Sequence, residues 1–394
     1  MLDSVLLDVC LVGLLIAYLV YGYRTGLIRS LGSIVGVVIG AFLAIILVPV
    51  VQTWVEDPTL RTVATIAVVV GLVLGCYYAG EALGRVIQGR LKGVGLRRVD
   101  RALGAVVVAI VAALVMSMLA SSISALGVPA LSQAIASSQV LRVINSVTPV
   151  SVQSFMAQVR SATVGQSLPR IAQAFGGNLS TSIPNVNTDT PALNRAALSV
   201  VRITGNAYAC GQSQSGSGFV VAPDRVITNA HVVAGVEHPV VDVRNGPALQ
   251  STVVYFDPTG DLAVLAVPGL HLNPLTLGPT VPVGTDGASD GYPFGGPFVS
   301  LQVGVEDVGT LNVENIYDNS TAPREIYSLA ANVQEGDSGG PLLTTSGVVA
   351  GVIFAKGATA ANVGYAITMK SVTPIAEESP RLTAGVSSGQ CVRG

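Results

Sequence analysis

The chain has 394 residues, with 21 Lys and Arg against 23 Asp and Glu and a formal net charge of −2. That balance supplies no basic field able to hold a nucleic acid backbone, so no nucleic acid partner is expected. Half of the residues are hydrophobic and 11% are charged, and the two kinds are segregated: long apolar runs crowd into the first third of the chain, which excludes a single soluble domain.

Four of these runs, Val5–Tyr21, Leu31–Val51, Val63–Ala82 and Leu103–Leu126, approach the roughly 20 residues that a helix needs to cross a bilayer. The first has neither a basic flank before it nor a small-residue cleavage site after it, so it is expected to be retained rather than removed as a signal peptide. Arg24 and Arg29 follow the first run, and Arg85, Arg90, Lys92, Arg97, Arg98 and Arg101 follow the third, whereas Glu56 and Asp57 outweigh Arg61 in the second connection. Because Lys and Arg concentrate in cytoplasmic loops, the first and third connections should lie inside, and the N-terminus and everything after Leu126 outside. Asp8 and Glu81 sit near span ends, where snorkelling accounts for them. In span number, spacing and the basic third loop, residues 1–126 resemble the colicin V production family of small membrane proteins.

Residues 127–198 shift in composition to Ser, Ala, Gln, Asn, Thr and Pro and read as a linker. Val152–Phe175 is compatible with one amphipathic helix, and Gly176–Pro191 with irregular chain. The irregular part is the accessible place for proteolysis, self-cleavage included.

Residues 199–394 are expected to be an all-β protease domain. Short β-branched and aromatic runs, Val200–Ile203, Gly218–Val221, Val226–Thr228, Thr252–Tyr255, Leu262–Val267, Leu301–Val308 and Val348–Phe354, alternate with Gly, Pro, Asn and Asp, the pattern of a barrel or sandwich. Three motifs stand on it in the order His, Asp, Ser. They are Thr228-Asn229-Ala230-His231-Val232-Val233, Asp261-Leu262-Ala263-Val264-Leu265 and Gly336-Asp337-Ser338-Gly339-Gly340-Pro341. A serine hydroxyl becomes an effective nucleophile when a base takes its proton, and an imidazole can then return that proton to the leaving amine. His231 fits the base, Ser338 the nucleophile, and Asp261 the buried carboxylate that fixes the imidazole tautomer. Asp257 is the rival acid, in a turn-like DPTGD segment. The glycines around Ser338 allow a sharp turn in which the amides of Gly336 and Ser338 converge on a developing oxyanion.

With these motifs in place the second half resembles the chymotrypsin-like serine proteases, and its GSGF, TNAHV and DLAVL segments are most similar to the bacterial HtrA-type branch. The four spans and the protease domain together resemble the mycobacterial membrane-anchored serine proteases of acid resistance. The resemblance implies a chymotrypsin-like double β-barrel behind an all-α four-helix transmembrane region. It places the base of the specificity pocket near Asn332, six residues before Ser338, with a wall near Phe354 and Ala355, so that an apolar or small polar residue is expected before the scissile bond. Two features depart from the family. No free N-terminus is at hand to pair with Asp337, and the roughly 24 residues after Lys370 leave no room for the peptide-binding domain that HtrA enzymes often carry.

No cofactor is expected and no cluster suggests a metal; His238 and His271 read as loop residues. Cys10 and Cys76 fall in spans at different depths, which argues against their pairing. Cys210 and Cys391 lie at the two ends of the protease domain in a compartment where a disulfide persists, with two free thiols as the alternative. The expected partners are membrane lipid and protein substrates of the cell envelope, with the protease domain periplasmic.

Overall fold

A computed structural model describes residues 2–54, 57–90, 94–125, 128–164, 169–171, 182–207, 210, 212–358 and 360–392. The chain divides into two compact units, one of residues 8–116 and another containing residues 117–394.

The first unit is built from helices α1 (Leu2–Thr25), α2 (Leu27–Trp54), α3 (Pro58–Gly89) and the first part of α4 (Val94–Ala125). All four are long and apolar enough to cross a membrane, and each extends beyond the apolar run that announced it, because the polar residues at the ends continue the helix. Helices α2 and α3 meet backbone to backbone: a Cβ on Gly36 would strike the Cys76 carbonyl, so only glycine permits the approach. In an apolar solvent such close packing replaces the hydrophobic effect as the force between helices. Glu81, only 8% exposed, accepts a hydrogen bond from Arg29 Nε at 2.8 Å, so an ion pair rather than snorkelling accounts for it.

The second unit begins with the last turns of α4 and continues through α5 (Pro129–Ser137), α6 (Gln139–Val147) and α7 (Val150–Val164). The expected helix over 152–175 is thus observed to Val164 within the described residues. Of the expected irregular chain, 176–181 lies outside the described residues and 182–190 has no regular structure. Strand β1 (Arg170–Ile171) and helix α8 (Pro191–Ala197) follow.

Among the described residues the protease domain itself consists of two seven-stranded sheets. The first contains β2 (Val200–Ala207), β3 (Gln212–Ala222), β4 (Arg225–Thr228), β5 (Val240–Asp242), β6 (Ala248–Gln250), β7 (Thr252–Asp257) and β8 (Leu262–Ala266), in the order β6-β5-β2-β3-β4-β8-β7, with the one-turn helix α9 (Ala230–Val233) after β4. The second contains β1, β9 (Asp286–Gly291), β10 (Val299–Glu314), β11 (Thr321–Ala330), β12 (Pro341–Thr344), β13 (Val349–Gly357) and β14 (Val363–Thr368), in the order β1-β13-β12-β9-β10-β11-β14. Strand β14 pairs with both β11 and β13, which closes β9–β14 into a barrel, with the two-residue β1 added in parallel on β13. Helix α10 (Met369–Glu378) then covers it. Each sheet has its own interior, one around Val201, Val226 and Leu265 and the other around Val303, Tyr327 and Ile353. A third cluster draws Phe219, Ile227 and Val264 from the first sheet and Leu343, Val352 and Tyr365 from the second, and so glues the two together. The all-β, curled two-sheet architecture expected from the motifs is the one observed.

Candidate active site

His231 and Asp261 are delivered to one place by the pairing of β4 with β8. In that antiparallel register Thr228 lies opposite Ala263, so the residues just after β4 and just before β8 emerge at the same end of the pair. His231 is in α9, three positions past Thr228, and Asp261 is two positions before Ala263. Both are buried, 5% and 2% exposed. His231 Nδ1 donates to the Asp261 carboxylate at 2.9 and 3.0 Å, and the His231 amide donates to Asp261 Oδ1 at 3.0 Å. A carboxylate only accepts, so Nδ1 carries the proton and Nε2 is left as the acceptor. Asn229 Nδ2 donates to the Asp261 carbonyl at 2.8 Å. Asp261 holds this pose with φ of 54°, a left-handed conformation costly for a residue other than glycine, so its surroundings must hold it there. The rival Asp257 instead accepts the Thr259 amide at 2.9 Å, which is a local turn bond.

The loop carrying Ser338 is fastened on both sides. The amides of Ser217 and Gly339 donate to the carbonyls of Ser338 and Ile353, each at 2.8 Å, and Ser217 Oγ donates to the Gly336 carbonyl at 2.7 Å. Gly339 has φ of +84°, and a Cβ there would lie 3.1 Å from the Thr228 Cα. The loop therefore sits directly on the end of β4 that leads to His231. Ser338 is 2% exposed, and its Oγ makes no hydrogen bond among the described residues. Catalytic serines often bond their base only once substrate is in place. Among the described residues the amides of Gly336 and Ser338 donate to no protein acceptor. The partner of Asp337 is a main-chain amide: Gln334 N donates to its Oδ2 at 2.8 Å, and no cation pairs with it among the described residues. Burial pushes this carboxyl up to about 7, against the pull of that amide. Asp290 on β9, fully buried, is pushed up to about 6 by burial, opposed by the Ser300 hydroxyl and the Arg244 charge.

The three residues expected around the specificity pocket are placed differently from one another. Asn332 is exposed and accepts from Gln334 Nε2 at 2.6 Å, whereas Phe354 and Ala355 are 2% and 0% exposed within the core between the sheets. A cavity of about 590 Å³ lies away from the triad, lined by α4 to α7, Arg202, Arg244 and the turn at Gly295–Phe298. Cys210 and Cys391 are bonded, with Cα atoms 6.5 Å apart, which decides between the two alternatives; Cys10 and Cys76 are free.

Two buried arginines escaped the sequence reading. Arg160 Nη2, on α7, donates to the carbonyls of Phe294 and Gly295 at 2.8 and 2.9 Å, and Arg202 Nη1 donates to the latter at 3.0 Å. That turn packs on Gly336, whose Cβ, were there one, would lie 2.8 and 2.9 Å from the nitrogens of Phe294 and Gly295. Arg324, on β11, donates to the carbonyl of Thr259 beside Asp261. Neither residue belongs to a motif, because each acts on a segment distant in sequence.

The colicin V production protein family matches residues 7–149, and the trypsin-like peptidase domain family matches residues 216–352. Over 402 aligned residues the chain is 31% identical to the serine protease Rv3671c of Mycobacterium tuberculosis, covering 100% of both proteins. It is 32% identical over 173 residues to a probable periplasmic serine endoprotease, DegP-like, of Halomonas elongata, covering 41% of this chain and 34% of that one. The crystal structure of the Rv3671c protease in its active form matches with a TM-score of 0.51 at 33% identity, covering 57% of this chain and 100% of that chain.

Proposed function

The chain belongs to the serine protease family that contains Rv3671c, and from that premise we propose that it is a membrane-anchored endopeptidase that cleaves proteins of the cell envelope outside the cytoplasm. The observation that carries the reading is the buried His231–Asp261 pair at the end of β4–β8, with the Ser338 loop packed on Thr228 at the same end of β4.

In the proposed reaction Ser338 Oγ attacks the scissile carbonyl while its proton passes to His231 Nε2. Asp261 holds the imidazole by Nδ1 and stabilises the imidazolium that forms. The amides of Gly336 and Ser338 bind the oxyanion, each worth roughly 3–4 kcal/mol in the transition state. His231 returns the proton to the leaving amine, and water, activated by the same imidazole, releases the acyl group. The basic residues after the first and third spans support an extracytoplasmic protease domain, and the Ser- and Asn-rich stretch before Pro191 is the candidate for self-cleavage.

A link to acid or stress tolerance has a physical basis in Asp337 and Asp290. Their carboxyls are held above the ordinary carboxylate range, so proton uptake on mild acidification favours the folded state. The deciding experiment treats the full-length protein in detergent with a fluorophosphonate probe. The parent should label at Ser338 and Ser338→Ala should not, with the same melting temperature. An unlabelled parent would remove the reading, and comparison of new N-termini in cells with and without Ser338→Ala would identify the substrates.

A further inference from the structure

The loop that presents Asp261 is held from the second barrel. Asp257 to Gly260 form a turn between β7 and β8, and two successive carbonyls of that turn are bound from across the domain. Pro258 accepts the Ile316 amide at 3.1 Å, and Thr259 accepts Arg324 Nη2. Arg324 is 6% exposed, and its guanidinium lies over the ring of Phe354 with the centroid 5.4 Å away. It therefore spans from β11, packs on β13 and bonds the loop next to Asp261.

We propose that Arg324 is a positioning residue for catalysis, which clamps the Asp257–Asp261 turn and sets the charge seen by the His231–Asp261 pair. The proposal rests on the triad reading above and deepens it. Two independent facts meet in it. Asp261 sits in a left-handed backbone conformation that needs external restraint, and the bonded carbonyl is two residues away from it. A buried guanidinium is also expensive to desolvate and is retained where anions and acceptors compensate it. Burial draws the Arg324 guanidinium below its usual range, while the carboxylates of Asp261 and then Asp257 favour its charged form. On this side stand those two acids, the His231 imidazole bonded to Asp261, and, on β7, the Tyr255 hydroxyl, which burial and then the charges of Asp257 and Glu378 push up. On its own strand Glu325 makes a separate set of contacts with Thr368 and Lys370.

The sign of the electrostatic effect follows. A positive charge near Asp261 offsets part of the pull of that carboxylate on the imidazolium that forms as Ser338 gives up its proton. Removing the charge should move the acid limb of the rate–pH profile upward, by on the order of 0.5–1 pH unit at the effective dielectric of protein sites.

The test measures the second-order rate of fluorophosphonate labelling against pH for the full-length protein in detergent, alongside thermal unfolding. Arg324→Met should lower the plateau about tenfold or more and shift the acid limb upward. Arg324→Lys keeps the charge but loses the planar fork and its stacking on Phe354, so its plateau should fall while its limb stays with the parent. A folded Arg324→Met whose limb superimposes on the parent overturns the proposal, as does a lysine variant whose limb moves as far as that of the methionine variant. Should the methionine variant not fold, Arg324→Lys decides alone, and an unchanged plateau overturns the proposal. Failure of the parent itself to label at Ser338 would instead strike the triad reading.

Discussion

At the residue scale two aspartates compete for one role, and their surroundings separate them. Asp261 accepts both the ring and the amide of His231, while the Asp257 carboxylate is occupied by its own turn. Asp261→Ala should therefore reduce turnover by on the order of 10⁴-fold, because the imidazole loses both tautomer and orientation. Asp257→Ala should cost only a few-fold. Steady-state cleavage of a fluorescent casein by the full-length variants measures the contrast, and equal mild losses would reverse the assignment. The preference for Asp261 over Asp257 as the proposed partner of His231 was legible in the sequence, since Asp261 stands directly ahead of an apolar strand and Asp257 in a turn-like segment. The strained φ of Asp261 and its support by Asn229 and Arg324 were not legible, because backbone strain and long-range bonds leave no local pattern.

At the scale of elements, the helices between the spans and the barrels prove to be structural. α7 carries Arg160 to the carbonyls of Phe294 and Gly295, where burial and then the neighbouring Arg202 bring the guanidinium down to about 10. Phe294 itself has φ of 57°, so the turn needs a restraint. Arg160→Ala would leave the Phe294 carbonyl without its charge-assisted donor and the Gly295 carbonyl with Arg202 alone, and should destabilise this unit by roughly 1–3 kcal/mol. Chemical denaturation of the full-length protein reads it, and a loss under about 0.5 kcal/mol would show that the turn holds itself. From composition the same stretch looked like a spacer, because polar, small residues that cap and bridge have the same signature as solvated chain. Strand β9, with the sequence DGASDG, was missed for a related reason. Its residues are poor strand formers, and it is paired on both sides by β10 and β12.

At the scale of the whole molecule, three terms can be tested. The Cys210–Cys391 bond closes a sequence separation of 181 residues. In the chain-entropy picture such a loop contributes about 5 kcal/mol, so Cys210→Ser should lower stability by roughly 3–5 kcal/mol in non-reducing buffer, with no change once both proteins are reduced. The second term is pH. An ordinary aspartate titrates near 3.8, whereas in the fold Asp290 and Asp337 titrate near 6 and 7. Between those values the folded state binds protons that the unfolded chain has released. Their stabilising contribution is thus complete below about pH 4 and is lost as the pH rises through about 6 and about 7. Asp337→Asn and Asp290→Asn should each remove on the order of 2–4 kcal/mol of this slope between pH 4 and pH 7.5, measured as the difference from the parent. Slopes parallel to the parent would show that both carboxyls ionise normally in the fold. The third term is orientation. With the first and third connections inside, Lys92→Cys should be shielded from an impermeant thiol reagent in whole cells and Ser180→Cys labelled, and the reverse pattern would invert the topology.

The amino-acid sequence by itself determined the division into apolar helices and a β-rich protease half, singled out His231, Asp261 and Ser338 as candidates for the triad, and made the pairing of Cys210 with Cys391 the favoured alternative. Each of these is written in local pattern: hydropathy over some 20 residues, an alternating strand, a glycine-rich turn, a cysteine at each end of the protease half. The tertiary structure alone decided that Asp337 is buried against a main-chain amide, that Phe354 belongs to the core between the sheets, and that Arg160 and Arg324 hold the turns beside Gly336 and Asp261. These are contacts between segments far apart in sequence. They exist because closing the second barrel and packing it on the first bring β11 to the loop before β8, and because α7 packs against the turn at Pro293–Gly295.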